Sequence, residues 1–340
     1  MTYTITAEGC GSFPATAADR LLDAGQRAGF GFPHACRNGN CERCLATLVS
    51  GEVRYPPGMG EKLHARHGAG ALLCCQAQAA SDLHLRMPGL TAPGELPLLE
   101  KTCQKLELRR LNQDISLLRL RLPAGRAVDW HAGQYLSLRL GERWLSFSIA
   151  NAPAPGEREL QVHFRHLAHH ASSQAHLAWL EQHDLLRVRL PLGHCHLQTL
   201  PQRPLWFICG STGFAPAQAM LQYLAQQRYQ GEVRLFWGNR EQTDIYLPDA
   251  PQQLMKQLPG LSVELVLSEQ SLPGHAQGLV HERALLQLDE PTAPLIFISG
   301  SPAMVEAVHA ALRQVGVTEA QLLSDMLLPP EKRQTTQGES

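Results

Sequence analysis

Apolar positions change their rhythm along the chain. Between residues 101 and 200 they alternate with polar ones in short runs, ISLLRLRL (115–122), YLSLRL (135–140), LQVHFR (160–165) and LLRVRLPL (185–192). Period-two alternation punctuated by Gly and Pro predicts antiparallel strands in a barrel or sandwich. From Pro204 the runs become almost continuously apolar: LWFIC, VRLFWG, SVELVLS and LIFIS. Helix-like stretches, PAQAMLQYLAQQ and MVEAVHAALRQV, lie between them, and buried strands alternating with helices predict a parallel α/β sheet. Residues 1–88 differ from both and hold six of the nine cysteines; the Pro/Gly-rich TAPGELP that follows reads as a linker. The closing PPEKRQTTQGES is polar and is expected to be a loose tail, and no repeat of fixed period runs through the chain. Three domains are expected, over residues 1–90, 101–200 and 203–328.

Composition narrows the possibilities. Hydrophobic residues at 44% and charged residues at 18% exclude a disordered or collagen-like chain. A formal net charge of -1 supplies no bulk field for nucleic acid or an anionic membrane, so no nucleic-acid partner is expected. No apolar run approaches the ~18–20 residues that span a bilayer. The start MTYTITAEGCGSF has neither a basic nor an apolar leader region, which predicts a cytoplasmic location. An odd count of nine cysteines, five of them between positions 36 and 75, suits a metal site better than a disulfide framework.

The sequence PHACRNGNCERCLATLVSGEV contains Cys36-x4-Cys41-x2-Cys44, and Cys74-Cys75 follows. This is the plant-type spacing for a [2Fe–2S] cluster, which needs four thiolates on two irons. A short loop supplies three of them, and Asn38, Gly39 and Asn40 let backbone N–H groups turn inward toward sulfur. Zinc is the rival, but it commonly takes paired C-x2-C knuckles and only one such pair exists here.

On these residues the first 88 positions resemble a β-grasp ferredoxin domain: a hairpin start, the helix LLDAGQRAG, the cysteine loop, then SGEV and a strand ending SDLHLRM. In that family a GxxLxC segment precedes an Asp seven residues after the fourth cysteine. Here Gly70-Ala71-Leu72-Leu73-Cys74-Cys75 precedes Asp82, which assigns Cys75 as the fourth ligand, although the gap from Cys44 is the commoner one for Cys74.

Residues 101–200 resemble the flavin-binding barrel of the ferredoxin–NADP reductase family. Its R-x-Y-S strand aligns with Leu145-Ser146-Phe147-Ser148, so the resemblance gives Phe147 and Ser148 to the flavin, while Leu145 replaces the phosphate-binding arginine. Arg143 lies on the same strand face and is the candidate substitute. The family's G-x-x-S phosphate element appears as His170-Ala171-Ser172-Ser173, which retains Ser173, and Pro191-Leu192-Gly193 matches the closing turn. Nearby, His166, His169 and His170 have helical i, i+3, i+4 spacing, which suits either a metal face or a polar surface.

The third segment is similar to the nucleotide half of the same family. LWFICGSTGFAP runs from a buried strand through a turn, Gly210-Ser211-Thr212-Gly213, into a helix near Pro216, a geometry that brings backbone N–H groups to a pyrophosphate. Phe236 to Arg240, then Leu267-Ser268-Glu269, then Ser299-Gly300-Ser301-Pro302-Ala303-Met304 follow in the family's order. The last implies that Ser299 stands where a cysteine usually faces the nicotinamide, with Gly300 and Met304 beside it. The family's C-terminal aromatic would fall near Leu327 and is replaced. Arg240 lies where a 2′-phosphate would bind, but similar arginines occur in NADH-using relatives; NADH is favoured over NADPH only slightly.

The fold class expected is multidomain α+β and α/β: a β-grasp ferredoxin domain, an antiparallel β-barrel flavin domain and a parallel-sheet nucleotide-binding domain. The resemblance implies an NAD(P)H-dependent oxidoreductase with FAD and a [2Fe–2S] cluster, passing electrons to a partner oxygenase or dehydratase. Substitutions at Leu145, His170, Ser299 and Leu327 motivate an alternative, an iron–sulfur carrier or redox sensor with a degenerate flavin site.

Overall fold

The computed structural model describes residues 1–34, 36–125, 128–197, 199–289 and 293–324. The chain divides into two compact units, Met1–Leu98 and the remainder from Leu99.

In the first unit a hairpin, β1 (Thr2–Ala7) and β2 (Gly11–Thr16), leads into α1 (Leu21–Arg27). After the cysteine loop come β3 (Leu45–Ser50), β4 (Val53–Arg54), α2 (Met59–His67), β5 (Ala71–Leu73), β6 (Gln78–Ala79) and β7 (Leu83–Arg86). The main sheet has the order β2-β1-β7-β3-β5, with β1 and β7 parallel and the other pairs antiparallel. Its core joins Ile5, Phe13, Leu21, Leu22, Leu72 and Leu85 under the helix. Asp82 opens β7 by accepting the Thr4 backbone N–H at 2.7 Å, which ties the strand to β1.

The second unit begins with six antiparallel strands: β8 (Leu99–Arg110), β9 (Ile115–Arg121), β10 (Tyr135–Leu140), β11 (Arg143–Ser148), β12 (Glu159–Arg165) and, after α3 (Ala171–Gln182), β13 (Leu185–Leu192). Their order is β11-β10-β13-β8-β9-β12. The end strands come together through Phe147 and Phe164, whose ring centres lie 5.5 Å apart, so the sheet curls on itself. Alternation serves this curl: Leu118 and Leu120 of β9, Leu136 and Leu138 of β10 and Val188 and Leu190 of β13 fill the interior.

The remaining strands are β14 (Leu205–Gly210), β15 (Val233–Asn239), β16 (Leu261–Leu267), β17 (Ala276–Gln277), β18 (Leu295–Ser299) and β19 (Leu322–Leu323), all parallel in the order β17-β16-β15-β14-β18-β19. Helices α4 (Phe214–Gln226), α5 (Ala250–Gln257), α6 (Val280–Leu285) and α7 (Pro302–Gln314) connect them. Two apolar clusters cover the two faces. Phe207, Trp237 and Leu221 belong to one, and Ile208, Phe236 and Val308 to the other, which is why these strands read as unbroken apolar runs.

Within this unit the antiparallel and parallel sheets share a seam. Gln218 donates from Nε2 to the Ala150 carbonyl at 3.0 Å, and Gln222 accepts the Ala152 N–H at 3.0 Å. His163 of β12 bonds the Tyr246 hydroxyl at 2.9 Å with both side chains buried.

The helical histidine face does not exist. Residues 166–170 form the irregular approach to α3, and His166 turns inward to bond Ser116 at 2.8 Å. Burial of one histidine, not a shared surface, decides that spacing. Among the described residues no three His, Cys, Asp or Glu side chains are grouped to hold a single metal ion, and no helix is long and apolar enough to cross a membrane.

Candidate functional sites: a thiol loop and a nucleotide cleft

The cysteine loop bends through left-handed backbone at Arg37, Gly39 and Glu42, with φ of 57°, 88° and 56°. The bends turn amides toward sulfur. Cys41 N–H donates to Cys36 Sγ at 3.3 Å, Cys36 N–H donates to Cys41 Sγ at 3.3 Å, and the Asn38 and Asn40 amides also bond the Cys36 sulfur. The Cys41 thiol and these N–H groups hold the Cys36 thiol down at about 6, so this sulfur is suited to the thiolate form that metals need. Cys44 pairs with the Cys75 thiol, and burial pushes its own thiol up to about 12. The four sulfurs therefore fall into an exposed pair, Cys36 with Cys41, and a buried pair, Cys44 with Cys75. Two thiolates for each of two irons is the donor set a [2Fe–2S] cluster requires, whereas one zinc would need all four at one point.

Cys74 makes no such pair. It is fully buried in the apolar core, and its backbone holds strands together, with the Cys74 N–H on the Cys44 carbonyl at 3.1 Å and the Leu22 N–H on the Cys74 carbonyl at 2.9 Å. Gln76 braces the loop from below, donating to the Arg37 carbonyl at 2.7 Å and lying 3.8 Å from Cys75 Sγ.

In the second unit a cleft of about 560 Å³ opens at the carboxyl ends of β14, β15 and β18 and reaches β11 and β12. Phe147, Ser148, Gly210, Ser211, Thr212, Gly213, Ser299, Gly300 and Met304 all line it. Strand β14 ends at Gly210, a single 3-10 turn covers Ser211–Gly213, and α4 starts at once, so its N-terminus meets the cleft. Gly213 is sterically required, because a Cβ there would collide with the Ser299 carbonyl. Ser211 adopts φ 48°, a strained value for a residue with a side chain, and its carbonyl is held by the Trp237 indole N–H at 3.0 Å.

Ser173 is not in this cleft. Its hydroxyl accepts the Leu167 N–H at 3.1 Å and lies 3.5 Å from the Arg165 carbonyl, which fixes the loop before α3. Leu145 packs against the barrel core, while Arg143 is exposed. Burial, followed by the charge of Arg143, lowers the His176 pKa, so this arginine acts near the first turns of α3. The position aligned with Leu327 lies outside the described residues.

Arg165, His163, Asn239 and Asp244 also line the cleft, and none of them is assigned a role from the sequence. Arg165 ends an alternating strand, so its parity was a usable signal. Asp244 pairs with Arg240 at 3.4 Å and accepts the Glu241 N–H at 3.3 Å, but only the folded turn brings those residues together. Burial pushes the His163 imidazole down to about 3, so it is neutral at any ordinary pH.

The cleft fits a dinucleotide and a flavin in its donor set: a helix N-terminus and glycine-containing turn for phosphate, a flat aromatic at Phe147, cations at Arg165 and Arg240, and an unpartnered buried amide at Asn239. A curled antiparallel sheet joined to a parallel one, with such a cleft and a separate thiol-loop unit, defines the class of iron–sulfur flavin reductases.

The relatives agree. Residues 8–80 match the 2Fe-2S iron-sulfur cluster binding domain, and residues 207–310 match the oxidoreductase NAD-binding domain. The chain is 30% identical over 325 residues to terephthalate 1,2-dioxygenase, reductase component 2, of Comamonas sp, covering 93% of this chain and 94% of that one. It is 28% identical over 319 residues to CDP-6-deoxy-L-threo-D-glycero-4-hexulose-3-dehydrase reductase of Yersinia pestis, covering 93% and 95%. In fold it is similar to the Amycolatopsis cytochrome P450 reductase GcoB, with a TM-score of 0.65 and 24% identity over 96% of this chain and 99% of that one. The chain belongs to the family of NAD(P)H-dependent reductase components that carry FAD and a [2Fe–2S] cluster and deliver electrons to a protein acceptor.

Proposed function

We propose that the chain is the reductase component of an oxygenase or dehydratase system, with three functional domains over residues 1–90, 101–200 and 203–328. When bound, NAD(P)H supplies two electrons as hydride, FAD divides them, and the cluster carries them singly. In this reading Gly210, Ser211, Thr212 and Gly213 hold the dinucleotide pyrophosphate, and Ser299, Gly300 and Met304 seat the nicotinamide. Phe147 and Ser148 face the flavin ring, and Ser173 serves the flavin phosphate indirectly by fixing the loop ahead of α3. Cys36, Cys41, Cys44 and Cys75 bind the cluster. Nine free thiols without a disulfide favour a reducing compartment, hence the cytoplasm.

The observation that carries the reading is the exposed Cys36–Cys41 pair, which leaves one edge of the metal site at the surface of its unit, open to an acceptor protein. In the test, NADH-driven reduction of cytochrome c is compared with reduction of a two-electron dye. Cys75→Ala should cut the first at least tenfold and spare the second; equal cytochrome c rates would mean that electrons do not leave through the cluster. The alternative, a carrier with a degenerate flavin site, is favoured by the internal engagement of Ser173 and Leu145. It predicts cluster absorption without flavin bands in the purified protein, even after incubation with FAD.

A further inference from the structure

Asn239 is the last residue of β15 and lines the nucleotide cleft. Its side chain is an anomaly. The residue is 7% exposed, yet neither Nδ2 nor Oδ1 has a hydrogen-bond partner in the protein. Its backbone is fully used, with the carbonyl accepting the Ser268 N–H at 3.0 Å, so the strand holds the amide at a fixed place. Buried polar side chains are nearly always satisfied, and one left unpaired beside a binding cleft is matched to something that enters the cleft.

The amide limits what that can be. It lacks both a donor and an acceptor, and a pyrophosphate, offering acceptors alone, would leave Oδ1 unpaired. A carboxamide offers both, but the nicotinamide is assigned to Ser299 on β18, and β14 separates that strand from β15. Two strand spacings come to about 9–10 Å, beyond the reach of one short side chain. A vicinal pair of hydroxyls also offers both and recurs in the dinucleotide.

We propose that Asn239 recognises a ribose cis-diol of the bound nicotinamide dinucleotide, donating to one hydroxyl through Nδ2 and accepting from its neighbour through Oδ1. The proposal rests on the assignment of the cleft to NAD(P)H. Before the dinucleotide binds, the buried amide costs stability, so Asn239 is kept for recognition at the expense of the fold.

Both consequences are measured on full-length protein loaded with FAD and cluster. Calorimetric titrations with NAD+, NADP+, ADP and NMN are run on wild type and Asn239→Ala, and Tm is recorded for these and for Asn239→Leu. The Kd for NAD+ should rise about tenfold in the alanine variant, as expected for two lost neutral hydrogen bonds. Tm should stay level or rise by about 2–4 °C in the leucine variant, whereas a structural asparagine would lower it. Weakened ADP binding with NADP+ little affected places the adenine-side diol at Asn239; weakened NMN binding places the nicotinamide-side diol there. An NAD+ Kd within twofold of wild type, or a fall in Tm with equal loss for all four ligands, would overturn the proposal. Wild-type protein that binds no NAD+ would overturn the cleft assignment as well, whereas tight wild-type binding with an indifferent variant overturns the role of Asn239 alone.

Discussion

Acid should destabilise the second unit through His163, and by an amount that can be worked out. The imidazole is 5% exposed on β12, bonded to the buried Tyr246 hydroxyl, and burial lowers its pKa from 6.5 to about 3. Below pH 6.5 the unfolded chain takes up a proton at this position that the native protein refuses until about pH 3. Stability is therefore complete above pH 6.5 and is lost as pH falls toward 3, because the unfolded state binds more protons throughout that window. At pH 5 the unfolded histidine lies about 1.5 units below its own pKa, which at about 1.4 kcal/mol per unit costs about 2 kcal/mol relative to pH 7.5. His163→Gln keeps a polar partner for Tyr246 and removes the titration. All five tryptophans (Trp130, Trp144, Trp179, Trp206 and Trp237) lie in the second unit, so fluorescence-monitored urea unfolding reports it selectively. The wild type should lose about 2 kcal/mol more than the variant between pH 7.5 and 5. His166, His176 and His196, whose pKa values burial also lowers, are present in both proteins and cancel in the comparison. Parallel pH profiles would refute the reasoning, because His163 would then be accepting a proton without unfolding.

Three further outcomes are expected. Cys75→Ala should abolish the visible cluster spectrum, while Cys74→Ala should keep it and cost about 1 kcal/mol for a small core cavity; the reverse pattern in absorption spectra would transfer the ligand role to Cys74. Arg143→Ala should weaken FAD binding about tenfold to a hundredfold, as expected for a charge-assisted bond to phosphate, and fluorescence titration of the flavin-free protein that finds no change would place the phosphate elsewhere. Asp244 engages Arg240 at 3.4 Å, so the wild type should prefer NADH. Asp244→Ala should then raise kcat/KM for NADPH about tenfold in steady-state assays, and an unchanged NADH/NADPH ratio would remove this pair from cosubstrate choice.

Much of the architecture was legible because burial on two faces leaves an unmistakable mark. LWFIC, VRLFWG and LIFIS coincide with β14, β15 and β18 almost to the residue. Strand β8 was not legible: KTCQKLELRR carries charge at half its positions, and only pairing with β9 and β13 on either side makes it a strand. Helix α2 was missed for a related reason, since Leu63 is its one buried residue and leaves little periodicity to detect. At the sites, local motifs located the turn at Gly210–Gly213 and the cysteine loop. What they missed were residues distant in sequence and adjacent only in the fold, such as His163 with Tyr246. The unpaired amide of Asn239 was equally hidden, because it is a property of its surroundings and not of the letter N.

The methionine at the mouth of the cleft has a consequence for how such a chain can evolve. The Met304 sulfur fills the space that a Cβ would need at both Gly210 and Gly300. The three positions, on β14, after β18 and in α7, are thus coupled: neither glycine can acquire a side chain unless the methionine swings aside or shortens. Drift along this rim should proceed most easily in paired steps, and a laboratory library that varies the three positions together should recover more folded variants than one that varies them singly.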